Sequence, residues 1–307
     1  MTAPTAHGRA PGLARSVRDT LGLVAFSHSV FALPFALTSA WIAAGGVPEG
    51  RTLVLVVLCA VAARTAAMAF NRLVDRDLDA QNPRTAQREL PRGALSVGAV
   101  RSTVVVASAA FVAGAFALNP LAGALSPLVL AVLLGYSFTK RVTSFAHGVL
   151  GLALGLAPLG AWIAVRGDFE GDLAVPLLLA AAVLTWVAGF DLIYACQDAD
   201  FDRARGLHSV PARFGLARSL GLSSFLHLLT AVLLVAFAWR AGLGAGFGAT
   251  LVLAGGLLVW QHRIVSPTDL SRVDRAFFTL NGWVGVLLFA GVLVDFHLLG
   301  AGTGTGA

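Results

Sequence analysis

The amino-acid sequence predicts an all-α membrane protein, a polytopic bundle of about nine transmembrane helices. Of the 307 residues, 57% are apolar and 12% are charged, whereas roughly a quarter of the residues in a soluble domain are charged. The mean hydropathy is +0.80. Apolar stretches of about 20 residues, the length that crosses a bilayer, follow one another almost to the end of the chain. They are continuously apolar, as at 53–63, and lack the alternation of a membrane β-strand.

Nine segments are expected to cross the membrane. They are about 20–45, 52–74, 97–117, 121–138, 145–165, 174–197, 216–238, 244–261 and 276–298. We therefore expect one membrane domain at 20–298, between a cytoplasmic tail at 1–19 and a short flexible tail at 299–307. No short apolar segment near the N-terminus is followed by a cleavage site, so no removable signal peptide is expected.

The Lys and Arg residues are distributed unevenly between the loops. With the N-terminus inside, 17 of the 22 lie in inner segments, three lie in outer segments, and Arg64 and Arg72 lie within a span. Because short loops rich in Lys and Arg stay in the cytoplasm, this bias predicts a cytoplasmic N-terminus. The composition rich in Ala, Arg and Gly is typical of a GC-rich bacterial genome, so a bacterial cytoplasmic membrane is expected. Anionic lipid headgroups explain the net charge of +6, so a nucleic-acid partner is not expected.

Seven of the 16 acidic residues lie in two short segments, 71–79 and 191–202, at the predicted cytoplasmic ends of the second and sixth spans. Asn71, Asp75 and Asp79 are four residues apart, so they share one face of a helix. In the second segment, Asp191, Tyr194 and Asp198 follow at spacings of three and four, so they are also expected to share one face of a helix. Asp202 joins them if the helix persists.

Carboxylates that meet at one membrane surface repel each other, so cations are expected between them. Mg²⁺ commonly binds through one or two carboxylates while phosphate oxygens complete its coordination. The two acidic segments therefore indicate a diphosphate held through Mg²⁺. The candidate metal ligands are Asn71, Asp75, Asp79, Asp198 and Asp202. No cluster of His or Cys residues in the sequence offers a zinc site.

Basic residues on the same side supply further counter-charge for a diphosphate. Arg84 and Arg88 follow the first acidic segment, and Lys140 ends the fourth span. We interpret these three as diphosphate-binding candidates. For Arg92 and Arg141 the positive-inside bias is an equally good explanation.

Arg64 lies seven residues before Asn71, about 10 Å deeper in the membrane by helical rise. A guanidinium at that depth needs an anionic partner. Two interpretations stay open, an ion pair with Asp191 and binding of the carboxylate of an aromatic substrate. His28, also within a span, is either a packing residue or a ligand-binding residue.

The two acidic segments resemble the signatures of the UbiA superfamily of intramembrane prenyltransferases, namely NxxxDxxxD at 71–79 and DxxxD at 198–202. In addition, 84–93 resembles the RTxxRxLPxG loop of that family, 136–140 its YxxxK element, and 191–194 the start of its second motif. With nine spans and a cytoplasmic N-terminus, the resemblance covers nearly the whole chain.

The resemblance implies a UbiA-type fold, Mg²⁺ bound by the Asp motifs, and an allylic chain lying in a cavity open to lipid. It implies transfer of a polyprenyl group from polyprenyl diphosphate to an aromatic acceptor. The expected catalytic residues are Asp75, Asp191 and Asp198, with Asp191 or the diphosphate itself as the base. The diphosphate is expected to contact Arg84, Arg88, Tyr136 and Lys140, and the acceptor to contact Arg64, His28 and Tyr194.

Two acceptors stay open at this point. Many relatives that prenylate 4-hydroxybenzoate have Asn-Asp where this chain has Asn71-Arg72. The segments 71–85 and 206–214 look most like the UbiA-like branch linked to the futalosine route to menaquinone, whose acceptor would be 1,4-dihydroxy-6-naphthoate. Both compounds carry a carboxylate and belong to quinone biosynthesis.

A transporter is the main alternative, because buried carboxylates and arginines also mark ion pathways. However, these carboxylates cluster at one membrane face, and the sequence has no inverted repeat or broken-helix pair. An alcohol phosphatidyltransferase is disfavoured because the residues expected before its DxxxD pattern are missing.

Overall fold

The computed structural model describes residues 31–300, and within them the chain is helical, with one isolated β-bridge between Ser266 and Asp269. The helices are α1 (Leu33–Ala44), α2 (Gly50–Gln81), α3 (Val97–Leu118), α4 (Pro120–Gly135), α5 (Ala146–Arg166), α6 (Ala174–Ala195), α7 (Ala199–Ala204), α8 (Val210–Phe214), α9 (Leu216–Arg240), α10 (Ala245–Arg263) and α11 (Asn281–His297). Short 3₁₀ turns follow α4 (Tyr136–Arg141) and α6 (Cys196–Asp198), and a π-helical segment (Arg275–Leu280) leads into α11.

The predicted all-α class is confirmed. Eight helical segments among the described residues are long and apolar enough to cross a bilayer. Three of them combine elements, namely α4 with the following 3₁₀ turn, α6 through α7, and the π-helical segment with α11. Of the first predicted span, 20–45, the structure describes only the part from residue 31 onward, which contains the 12 residues of α1. The predicted tail 1–19 and residues 301–307 lie outside the described part of the chain.

Helix α2 is longer than the predicted span 52–74. It has 32 residues and contains no glycine after its first residue and no proline, so at 1.5 Å per residue it rises about 48 Å. It ends where Asn82, which precedes Pro83, takes an extended conformation, because proline disfavours the helical conformation in the residue before it. The hydrocarbon layer is about 30 Å thick, so α2 is longer than the layer. The predicted span 52–74 leaves the end of α2, with Asp75 and Asp79, outside it.

Helix α6 lies at the centre of the bundle, packed between α5 and α9. Its Trp186 and Phe190 are buried and pack edge to face against each other, with ring centroids 4.9 Å apart. Phe31 and Phe35 pack against the same rings. This aromatic cluster fixes α6 in the core, and the following residues of α6 lead into the site described below.

Two glycines of α5 let it approach α6 closely. A Cβ atom on Gly151 would lie 2.3 Å from the carbonyl oxygen of Leu184, and one on Gly155 would lie 2.8 Å from that of Ala180. Small residues spaced by four are a common device for close contact between membrane helices. His147 is one helical turn before Gly151, so the same face of α5 carries it toward α6.

We expect Gly151→Ala to lower the midpoint of thermal unfolding in detergent, because the added methyl group meets backbone that cannot move without separating α5 from α6. Overpacking of this kind costs about 1–3 kcal/mol. Gly160→Ala in the same helix is the control, because its Cβ would meet no atom within 4 Å. Equal unfolding midpoints for the two variants would contradict the close packing.

Candidate active site

Two adjoining cavities lie where α2, α4 and α6 end and α5 begins. The first, about 190 Å³ in volume, contains the acidic side chains and is called here the polar cavity. The second, about 160 Å³, has a mainly apolar and aromatic lining and is called the aromatic cavity. The residues that line both are Asn71, Arg88, Tyr136, Leu150, Asp191 and Tyr194. These shared residues mark the junction between the two cavities.

The first acidic segment lines the polar cavity along one face of α2, as its spacing predicts. Asn71 Nδ2 donates to Asp75 Oδ2 over 3.1 Å, and Arg141 donates to Asp75 Oδ1 over 2.8 Å. Arg88 forms a salt bridge of 2.7 Å with Asp79 Oδ1. Arginines therefore neutralise both buried carboxylates. The positive-inside bias does not by itself explain the inward position of Arg141.

The second acidic segment is not one continuous helix, so this part of the prediction is wrong. Helix α6 ends at Ala195, and a 3₁₀ turn, with three residues per turn instead of 3.6, separates it from α7. The four predicted side chains still line the polar cavity. They are Asp191, Tyr194, Asp198 and Asp202.

Asp198 contacts residues of the loop that follows α2. These contacts connect the two acidic segments. Asn82 Nδ2 donates to Asp198 Oδ1 over 2.9 Å, and the guanidinium of Arg84 pairs with both carboxylate oxygens. Arg84 also donates to the hydroxyl of Tyr194 over 2.6 Å. Partial burial works to lower the pKa of Arg84, but its contacts with Asp198 outweigh this and raise the pKa above its ordinary value.

Asp191 has a partner that the sequence did not predict. His147 Nδ1 lies 2.7 Å from Asp191 Oδ2, and the imidazole is buried. Asp191 is therefore paired with His147, which does not support the interpretation of Arg64 as its ion-pair partner. The only sequence signal for His147 was a polar residue at the start of the fifth predicted span.

Arg64 and Arg72 both line the aromatic cavity. The Nε atom of each is buried and has no hydrogen-bond partner in the described part of the chain. Unpaired buried donors are costly, so these guanidiniums favour an anionic ligand beside them. Tyr194 contributes its ring, stacked on Phe277 with centroids 4.2 Å apart.

Of the other predicted residues, Lys140 lines the polar cavity and Tyr136 lines both cavities. His28 lies outside the described residues.

The polar cavity suits a cation that prefers oxygen ligands. Among residues 31–300, no three His, Cys, Asp or Glu side chains converge into a complete metal site. Asp79 Oδ2, however, is buried without a hydrogen-bond partner. A carboxylate oxygen left in this state beside other carboxylates fits a metal ion whose coordination a ligand completes.

Comparisons with known proteins agree with the motif resemblance. The sequence model of the UbiA prenyltransferase family matches residues 32–283. A 4-hydroxybenzoate octaprenyltransferase of Yersinia pseudotuberculosis is 33% identical over 263 residues, which cover 85% of this chain and 88% of that protein.

Solved structures share the fold. A UbiA homolog from Aeropyrum pernix K1 is 37% identical, with a TM-score of 0.80 over 88% of this chain and 98% of that one. A UbiA homolog from Archaeoglobus fulgidus, bound to DMAPP and Mg²⁺, is 18% identical, with a TM-score of 0.65 over 88% of this chain and 99% of that one. The family match, the sequence relatives and the shared fold together show that this chain is a prenyltransferase and belongs to the UbiA family.

Proposed function

We propose that the protein transfers a polyprenyl group from a polyprenyl diphosphate to an aromatic acceptor that bears a carboxylate, in a reaction that requires Mg²⁺. One observation carries the proposal. A cavity lined by carboxylates and cations adjoins a second cavity with aromatic walls and two arginines whose buried Nε atoms have no hydrogen-bond partner in the described residues. The names of the relatives, a 4-hydroxybenzoate octaprenyltransferase and a homolog bound to DMAPP and Mg²⁺, support it.

The polar cavity would hold the diphosphate. The proposed metal ligands are Asn71, Asp75, Asp79, Asp198 and Asp202, and the proposed diphosphate contacts are Arg84, Arg88, Tyr136 and Lys140. When bound, Mg²⁺ neutralises charge on the departing diphosphate. Arg84 and Arg88 already pair with Asp198 and Asp79, so both guanidiniums stand within reach of an anion in this cavity and can stabilise the leaving group.

The reaction would take place at the junction of the cavities. The bond between the allylic carbon and the diphosphate oxygen breaks, and both electrons leave with the oxygen. A ring carbon beside the acceptor's hydroxyl then bonds to the allylic carbon. Apolar side chains such as Leu150 and Phe190 line the cavity there and limit access of water to the cation. The ring proton leaves to Asp191 or to the diphosphate.

The aromatic cavity would hold the acceptor, with its carboxylate at Arg64. Arg72, on the same helix, adds a second positive charge to this cavity. The named relative favours 4-hydroxybenzoate, while the Asn71-Arg72 pair favours 1,4-dihydroxy-6-naphthoate and the menaquinone route.

We place this site at the cytoplasmic face of a bacterial cytoplasmic membrane, within a membrane domain at 20–298. The support is the excess of Lys and Arg in the segments on the same side as the two acidic segments. The transporter alternative gains no support from the relatives, which are prenyltransferases.

The test is release of pyrophosphate by the purified protein in detergent, with a polyprenyl diphosphate, Mg²⁺ and each acceptor in turn. We expect release that requires acceptor and metal and is lost in Asp75→Ala. The better acceptor identifies the pathway. If neither carboxylate acceptor supports release while an aromatic ring without a carboxylate does, the proposed acceptor class is wrong.

A further inference from the structure

Asp191 occupies the position from which a base would reach the reacting ring. Of the six residues that line both cavities, Asp191 is the only one with a carboxylate side chain. A diphosphate in the polar cavity and an acceptor in the aromatic cavity would meet at this junction. The side chain is 21% exposed, so one part is buried while another faces the cavities.

His147, which is buried but also lines the polar cavity, pairs with that carboxylate. Its Nδ1 lies 2.7 Å from Asp191 Oδ2, and within residues 31–300 it is the only hydrogen-bond partner of this carboxylate. His147 lies one turn before Gly151, where α5 packs closely on α6. Both His147 and Asp191 therefore lie on helices that contact each other, rather than on a loop.

A contact with the backbone of α8 indicates which nitrogen of the His147 imidazole carries the proton. The N–H of Val210, the first residue of α8, points at His147 Nε2 over 3.5 Å. A backbone N–H can only donate, so Nε2 acts as an acceptor and the proton of a neutral imidazole lies on Nδ1. Nδ1–H therefore donates to Asp191, which leaves the other carboxylate oxygen as an acceptor.

We propose that His147 is a positioning residue, which holds the Asp191 carboxylate at the junction of the two cavities so that the carboxylate removes the ring proton of the acceptor. The inference rests on the proposed prenyl transfer and chooses between the two bases named there. In this step the ring C–H bond breaks, its electron pair restores the aromatic ring, and the proton passes to the carboxylate to give a neutral Asp191.

The test compares His147→Ala, His147→Asn and Asp191→Asn with the wild type, using 4-hydroxybenzoate deuterated at the ring carbons beside the hydroxyl, or ring-deuterated 1,4-dihydroxy-6-naphthoate. We expect His147→Ala to lower kcat about 10- to 100-fold, less than the 10²- to 10⁴-fold that a general base contributes. The KM for the prenyl diphosphate should stay close to that of the wild type. His147 lines the polar cavity, but its side chain is only 8% exposed and both ring nitrogens are occupied by Asp191 and the backbone of Val210.

The isotope effect separates positioning from a purely structural role. In His147→Ala proton removal becomes slower, so the ratio of rates with protonated and deuterated acceptor should rise above the wild-type ratio. His147→Asn should recover most of kcat, because its amide N–H can occupy the place of Nδ1–H. The double variant with Asp191→Asn should lose little more than Asp191→Asn alone, since both substitutions affect the same proton transfer.

Two outcomes overturn the inference while the proposed function stands. One is an active wild type with an unchanged kcat in His147→Ala. The other is a lower kcat with an unchanged isotope effect and no recovery in His147→Asn, which would mean a structural role only. A wild type that releases no pyrophosphate with either acceptor overturns the proposed function, and the inference with it.

Discussion

Replacing Asp198 by asparagine is expected to lower kcat by roughly 10²- to 10³-fold, the size of effect seen when one preorganised electrostatic contact is removed from an active site. The substitution keeps the shape of the side chain but removes the charge that Arg84 and the proposed metal site both use. It also leaves the partly buried Arg84 without its ion pair. Steady-state pyrophosphate release at saturating substrates measures the effect.

Asp200→Asn is the matched control. Asp200 lies two residues away on the same short segment, but its side chain is 97% exposed and pairs with Arg203 at the surface. Its kcat should stay close to that of the wild type, because exposed ion pairs contribute little. A similar loss in both variants would point to general disruption of α7 rather than to the loss of a charge in the polar cavity.

Arg64→Met is expected to raise the KM for the carboxylate acceptor and to leave the KM for the prenyl diphosphate nearly unchanged. A hydrogen bond to a charged group contributes about 1.5–3 kcal/mol, which corresponds to roughly 10- to 100-fold in KM. Methionine retains much of the side-chain volume, so the aromatic cavity should keep its shape. Initial rates over a range of acceptor concentrations give the two constants.

Two controls accompany this variant. Arg76→Met alters an arginine of the same helix whose side chain is 46% exposed and pairs with Asp77, and it should behave as the wild type. 4-Hydroxybenzamide, which has no negative charge, should be used equally well by the wild type and by Arg64→Met. A large preference of the wild type for the amide, or equal acceptor KM values in Arg64→Met and the wild type, would contradict the role of Arg64.

The sequence predicted most of the helices because each depends on a local property, a long apolar segment between polar loops. It predicted the face of α2 with Asn71, Asp75 and Asp79 for the same reason, since helical spacing alone aligns them. It did not predict the end of α6 at Ala195, because residues 191–205 contain no glycine or proline that would indicate a helix end. That break accompanies contacts of Asp198 with Asn82 and Arg84, more than 100 positions earlier in the chain.

The pairing of His147 with Asp191 could not be predicted from the sequence either. The two residues are 44 positions apart, and their contact depends on the approach of α5 to α6 at Gly151, which a single sequence does not reveal. The arginine partners of the carboxylates were predicted only as basic residues on the correct side. Which guanidinium meets which carboxylate depends on the path of the loops between the helices.

The length of α2 separates the two proposed binding sites along the helix axis. The predicted span 52–74 contains Arg64, about 10 Å from Asn71 by helical rise, and ends before Asp75 and Asp79. Under the proposed function, a prenyl diphosphate would enter sideways from one leaflet, with its tail among the acyl chains and its diphosphate at the level of the headgroups. Its several negative charges never bear the cost of losing their hydration in hydrocarbon. Under the proposed function, only the small acceptor would have to reach the deeper aromatic cavity, where Arg64 lies.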